Sequence, residues 1–478
     1  MKSKKQLSLF GLIGVTIAFF ASVRPTPQIA VTGWTSIFYL VVAALFFALP
    51  IALISAELST TYTQKGGSQV WINRGISPKW SFVSSWLIWL MMLVGLVMIL
   101  STLGELLGYV INQPSLGENS WVTFAIIVGV FWLMTWLCLK TDMLRLSSIG
   151  AVIGVYVPFA VLTVLSLVYL CKHGINANSY LADFSLDKLL PDFSDPGSLP
   201  TLTAIVFIFA GVEMSAVHIG EVKNPSKTYP IGVIGAVLAV VVLSIVTGLG
   251  YADAVPKGGM MLANVMQGIA LLVTDAGLPS FVNNLLALCI IIGILTKIGA
   301  WLLGPCQSLL QVGRAGMLPK WCQQTDSQGN PVNIIFAQAV AATAIALLFL
   351  VITNVDEVFN ILTISATLFY CIVYVLIGIS AIRLRLKDRD LPHPFRLGKK
   401  GNATMFICAG LAIFSSTVTI LVSLIPPNGL ESSLHTVYII GQLAFTGLMI
   451  GIALLIYHLR RPAWKKQDSS HPNISLDA

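Results

Sequence analysis

The sequence predicts an all-α integral membrane protein of twelve transmembrane helices, and three observations carry that reading. Apolar runs of about 20 residues recur along the chain, each long enough to cross about 30 Å of hydrocarbon. Of the 478 residues, 56% are hydrophobic and only 10% charged, with a mean hydropathy of +0.85. Lys and Arg are also segregated. Of the 28, 23 sit at the N-terminus and in alternate loops, and the opposite loops hold only Lys172, Lys188 and Lys257. That asymmetry predicts cytoplasmic termini and makes the net charge of +8 a topology signal rather than a nucleic-acid footprint. The runs are continuous rather than alternating, which excludes a β-barrel.

Taken in order, the apolar windows fall near 6–31, 34–58, 81–111, 121–138, 146–171, 199–219, 229–251, 280–311, 333–352, 357–383, 403–424 and 434–459. The first follows "MKSKK", which looks like the basic start of a signal peptide. Its apolar stretch is long, lacks an A-x-A exit and leads straight into the second window, so it is expected to remain as span 1. Spans 5 and 6 are joined by 172–198, with Asp183, Asp187, Asp192 and Asp195, and spans 7 and 8 by 252–279. The connection "RLRLKDRDLPHPFRLGKK" from Arg383 is basic and is expected to lie against anionic headgroups. Residues 1–460 read as one transmembrane domain and 461–478 as a short, disordered cytoplasmic tail.

Two spans are interrupted. Span 1 carries "SVRPTPQ", Ser22 to Gln28, and span 6 carries "FIFAGVEMSAVH", Phe207 to His218. Pro25 and Pro27 lack an N–H and clash with the preceding turn, so they break a helix as glycines do elsewhere. Five spans separate the first interruption from the second. That spacing predicts a five-plus-five inverted repeat, about 6–171 and 199–383, with two additional helices over 403–459. Unwound backbone is costly in lipid, so both breaks must line a cavity or face protein.

The interrupted spans also carry buried charge. Arg24 costs about 2.5–3.5 kcal/mol at a span centre on insertion scales, so it faces a cavity or belongs to a structural ion pair. Glu213 follows Gly211 in the second break. A buried carboxyl there is a group that exchanges protons, unless it permanently partners a helix-end N–H. Lys297 in span 8 reads three ways: on the cation position of ion-coupled relatives, against an anionic substrate, or as counter-ion to Glu213. It is the second proton-linked candidate. Phe207 and Trp301 are candidate aromatic lids, and packing is their alternative. Glu57, Glu105, Asp356 and Glu357 are expected near interfacial water at span ends, and His218 near the end of span 6.

The seven cysteines show no CxxC and no paired spacing, so packing is expected rather than disulfides or a metal. No HExxH, DxxD or clustered histidines occur, so neither enzyme activity nor a cofactor is expected.

Several stretches together resemble one family. "GVEMSAVHIGEVKNPSKTYPIG" (Gly211–Gly232) is similar to the span 6 to span 7 signature of amino acid–polyamine–organocation transporters, and most to their glutamate:GABA antiporter branch. "ISAELSTTYTQKGGSQVW", "AWLLGPCQSLLQVGRAGMLPKW" with "GNPV", and "SVRPTP" fall in the family's order across about 6–460. The resemblance implies the five-plus-five (LeuT-like) fold with two extra helices, and exchange or proton-linked transport of amino acids or their amines. By position Glu213 takes the place of the family's span 6 glutamate, and Phe207 that of its aromatic gate. Three departures stand out. The glycine-rich break of span 1 is replaced by Arg24-Pro25-Thr26-Pro27, Lys297 stands where the branch has an acidic residue, and its long C-terminal plug has no counterpart in so short a tail.

The expected function is an inner-membrane amino acid transporter working by alternating access. The solute's carboxylate would meet the first break at Val23, Arg24 and Pro25. Its ammonium group would meet carbonyls near Ala210 and Gly211, beside Glu213. Two cations against one carboxylate favour neutral or acidic solutes. A sodium- or proton-coupled symporter, a channel and a membrane-embedded enzyme are the alternatives. Beyond the solute, protons and the lipid bilayer are the expected partners, without nucleic acid.

Overall fold

The computed structural model describes residues 8–62, 67–141, 150, 152–214, 222, 224–352, 354–398, 401–428 and 430–465. Among them the secondary structure is helical, with only isolated bridges such as Ser179 to Pro256. Eleven stretches are long and apolar enough to cross a membrane. The N-terminal segment is divided into α1 (Leu9–Phe20) and α2 (Thr26–Ala30), neither of which spans alone. Then follow α3 (Thr35–Thr61), a short α4 (Ser68–Gly75), α5 (Pro78–Val110), α6 (Ser120–Lys140) and α7 (Val152–His173). The second part runs α8 (Pro200–Ile208), α9 (Pro225–Ala254), α10 (Met266–Asp275), α11 (Phe281–Val312), α12 (Val332–Ala346) and α13 (Val355–Lys387). The last two are α14 (Ala403–Val422) and α15 (His435–His458). His218 and residues 142–149 lie outside the described residues.

Helices α5 and α13 form the centre, packed on each other, with α11 against α5 and α14 against α13. Val83, Leu87, Leu96 and Val97 of α5 and Phe359, Phe369 and Val373 of α13 are all essentially inaccessible there. Both helices bury every face over their central turns, as a helix enclosed by other helices does. By contrast α15 turns Val437, Ile440, Leu448 and Leu455 outward, which suits contact with lipid rather than water. Helices α7 and α11 touch backbone to backbone at Gly154 and Gly293, where an added Cβ would come within about 2 Å of the other glycine's Cα.

Three expectations about charge are corrected. Glu57 and Glu105 are buried, at 1% and 4% exposure, rather than interfacial. Arg385, in the basic connection expected to lie on headgroups, is turned inward at 2% exposure and pairs with Glu57. Asp356 keeps its expected place at a span end, half-buried in the first turn of α13, and accepts the Ala263 N–H at 2.7 Å. The 252–279 connection holds the ten-residue helix α10. The 172–198 connection is stapled to the end of α9: Asp253 accepts from Asn176 N at 2.9 Å and from Ser179 Oγ at 2.7 Å.

Candidate functional site

Both interruptions are real breaks in backbone geometry. After α1 the chain turns extended at Ala21 (φ −69°, ψ 140°). It re-enters a helix only after Pro25, where Thr26 N bonds the Val23 carbonyl at 3.0 Å. Pro25 lacks the N–H that would carry the ladder on from α1, and Pro27 falls in the first turn of α2, where a missing N–H costs nothing. The second break follows α8. Gly211 takes φ +93°, a region that L side chains avoid, which is why glycine stands there.

The breaks face one cavity of about 760 Å³, within the usual range for small-molecule sites. Arg24, Pro25, Phe207, Ala210, Gly211, Glu213, Lys297 and Trp301 all line it. Val23 does not: its side chain is buried in the core at 1% exposure, and only its carbonyl serves the break. The cavity runs from the breaks toward the face carrying Tyr62, Gly67 and Gln311.

The charged groups are kept apart. Glu213 accepts hydrogen bonds from the Tyr370 and Tyr374 hydroxyls, the latter at 2.6 Å. Among the described residues it has no ion pair with Arg24 or Lys297. Lys297 Nζ instead donates to the Ala21 carbonyl at 3.3 Å, where the break frees an acceptor at the negative end of α1. The Arg24 guanidinium carbon lies 5.7 Å from the centre of the Phe359 ring, a cation–π distance. Thus the expected counter-ion pairs to Glu213 do not form, and two cations border the cavity without a carboxylate partner among the described residues.

Sequence reasoning missed Tyr370, Tyr374 and Gln28. The tyrosines are four apart on α13, so they share one helix face, with ring centroids 4.5 Å apart. That spacing was readable; that their face met Glu213 was not. Phe207 reaches across to α5, with its ring tip 3.9 Å from where a Cβ on Gly95 would stand. The arrangement offers two cations without a carboxylate partner among the described residues, freed backbone groups and a tyrosine-held carboxylate, which can bind a small zwitterion or anion.

The sequence profile of the amino acid permease family matches residues 5–460. An uncharacterized transporter of Legionella pneumophila is 30% identical over 89% of this chain and 91% of its own length. A glutamate/gamma-aminobutyrate antiporter of Lactococcus lactis is 26% identical, over 96% and 91%. A probable agmatine/putrescine antiporter of Lactococcus lactis is 25% identical over 98% of each chain.

Proposed function

This chain belongs to the amino acid permease family, and from that premise we propose that it exchanges a carboxylate-bearing amino acid for another amino acid or its decarboxylated amine. It works by alternating access in the inner membrane of a bacterium, with both termini cytoplasmic. The single observation behind the substrate class is the charge of the cavity wall. Arg24 and Lys297 have no carboxylate partner among the described residues, while Glu213 is engaged by two tyrosines. An anionic group on the solute satisfies the first two, and the solute's ammonium group meets the carbonyls beside Ala210 and Gly211. Neutral or acidic amino acids therefore bind in preference to arginine or lysine.

The proposal includes twelve spans, with α1 and α2 together forming the first. Spans 1–5 and 6–10 are inverted repeats, each beginning with its broken helix. The face carrying Tyr62 is the cytoplasmic one, so the central cavity is inward-facing. Proton linkage runs through Glu213.

The test is counterflow. Purified protein is reconstituted in liposomes loaded in turn with single amino acids or their amines, and uptake of labelled glutamate, alanine, leucine and lysine is followed. Uptake that requires an internal solute supports exchange. Uptake of lysine with glutamate, alanine and leucine ignored would overturn the substrate assignment.

A further inference from the structure

The central cavity has a polar end and an apolar one. Helices α5 and α11 run antiparallel along it: Asn284, in the first turn of α11, donates to the Tyr109 and Val110 carbonyls at the end of α5, at 2.9 and 3.0 Å. At the opposite end Gln69, Ser308 and Gln311 line the mouth with Tyr62, and the Gln69 carbonyl accepts from Ser81 Oγ near the start of α5 at 3.0 Å. From there toward Asn284 the lining changes. Among the described residues, every side chain that α5 brings to the cavity is apolar, with Ile88, Met92, Leu96 and Ile99 at helical spacings of four, four and three. Ile290 and Ile294 continue that surface on α11, ahead of Lys297. The polar groups Arg24, Gln28 and Glu213 come from the two breaks and α2, not from this face.

We propose that the solute is a neutral amino acid with a large aliphatic or thioether side chain, of the kind of leucine or methionine, and that Met92 and Ile294 determine that specificity. This rests on the reading that the central cavity holds an amino acid with its carboxylate at the first break. Its side chain then lies along the α5–α11 face, where apolar contact displaces water from both surfaces. Met92 and Ile294 each keep 8% of their surface accessible, so a solute can touch them. Glutamate would bring a second carboxylate. Lys297 is held at the first break by its bond to the Ala21 carbonyl, three residues before Arg24, so both cations serve one carboxylate there. The aliphatic face offers the other carboxylate no donor, and an unpaired charge among such side chains is costly. A glutamine amide would be left without partners on that face too.

The experiment measures half-saturation for external leucine, methionine, alanine, glutamine and glutamate in counterflow by wild type, Met92→Gln and Ile294→Val. The first substitution keeps the side-chain volume and the second removes one methylene, and monodispersity in detergent checks folding. In wild type, leucine and methionine are expected to half-saturate about ten- to a hundredfold below alanine, the worth of burying such a side chain. Glutamine and glutamate should do no better than alanine. Met92→Gln is expected to cut the advantage of leucine over alanine about tenfold and to bring glutamine closer to leucine. Ile294→Val is expected to cut it about fourfold, as one methylene is worth. Leucine that half-saturates no lower than alanine or glutamate in wild type, or an advantage unchanged in both variants, would overturn the assignment while leaving exchange intact. Leucine uptake with the expected advantage but without any internal solute would overturn exchange and leave the assignment standing. Wild type that takes up none of the five solutes overturns both.

Discussion

Tyr374 holds Glu213 and Gly211 at once. Its hydroxyl donates to Glu213 Oε2 at 2.6 Å and accepts the Gly211 N–H at 2.9 Å. The carboxyl beside the second break and the backbone of that break are therefore joined through one atom on α13, which is itself wedged edge-on against Phe47 of α3 at 5.1 Å. A change in the bonding of Glu213 is transmitted directly to the glycine that makes the break.

Tyr374→Phe removes that joint and nothing else of comparable size. A hydrogen bond to a charged group contributes about 1.5–3 kcal/mol, so turnover in counterflow is expected to fall by about ten- to a hundredfold. Half-saturation should move much less, because Tyr374 does not line the cavity wall. Tyr370→Phe should affect half-saturation as well, since Tyr370 both bonds Glu213 and lines the cavity. Identical profiles for the two variants would contradict this division.

Glu213→Gln keeps the shape and removes the titratable proton; its carbonyl oxygen still accepts from one tyrosine, and the other hydroxyl must turn to accept from the amide N–H. If Glu213 is the proton-linked group, wild-type exchange varies across about pH 5–8 and the variant's does not. Measured rates that follow the same pH curve in both proteins would place the linkage elsewhere.

Arg24→Gln tests the positive wall. With no carboxylate partner among the described residues and only the Phe359 ring beneath it, the guanidinium can be removed without stranding a buried anion. Half-saturation for carboxylate-bearing solutes is expected to rise about tenfold or more, and for amines to stay level. A uniform loss of binding would instead make Arg24 a structural residue of the break.

Lys297 occupies the Ala21 carbonyl with its ammonium group, and a second cation at that acceptor would be repelled. Replacing sodium by choline should therefore leave wild-type exchange unchanged. A clear drop in choline would revive sodium coupling.

The parts legible in the sequence are those where residue type conflicts with its surroundings. Pro25 and Pro27 in an apolar run announce a break, and Arg24, Glu213 and Lys297 announce themselves by their cost in hydrocarbon. Gln28 stood in the same heptapeptide and gave no such signal, because a neutral amide barely disturbs hydropathy. Tyr370 and Tyr374 are amphipathic and at home in any span, so only their placement opposite Glu213 reveals them. Val23 sits in the same break, yet its side chain lies in the core, because proximity to a break in sequence does not fix which way a side chain points. Glu57 and Arg385 were read separately as interfacial charges. They are 328 residues apart, and nothing local in the chain pairs them.

That last pair carries a stability prediction. Glu57 of α3 and Arg385 of α13 form a buried ion pair in which every nitrogen of the guanidinium and both carboxylate oxygens are bonded, and His393 Nδ1 lies 3.3 Å from Glu57 Oε1. Leu397 N–H donates to Glu57 Oε2 at 2.6 Å, while Arg385 donates to the Leu397 and Gly401 carbonyls at 3.0 and 3.1 Å and to Asn402 Oδ1 at 3.0 Å. The pair thus pins Leu397, Gly401 and Asn402 against the ends of two helices. Close by, Tyr62 donates to Asp388 at 2.8 Å at the rim of the central cavity. Breaking such a pair on one side leaves an uncompensated buried charge and costs about 3–5 kcal/mol, whereas replacing both members costs far less. Arg385→Met alone is expected to destabilise more than Glu57→Gln with Arg385→Met together. Melting of the wild type, the two single variants and the double variant in one detergent, read as a double-mutant cycle, measures the difference. Additive losses would mean that the two side chains do not depend on each other, and that the connection is held by its backbone contacts alone.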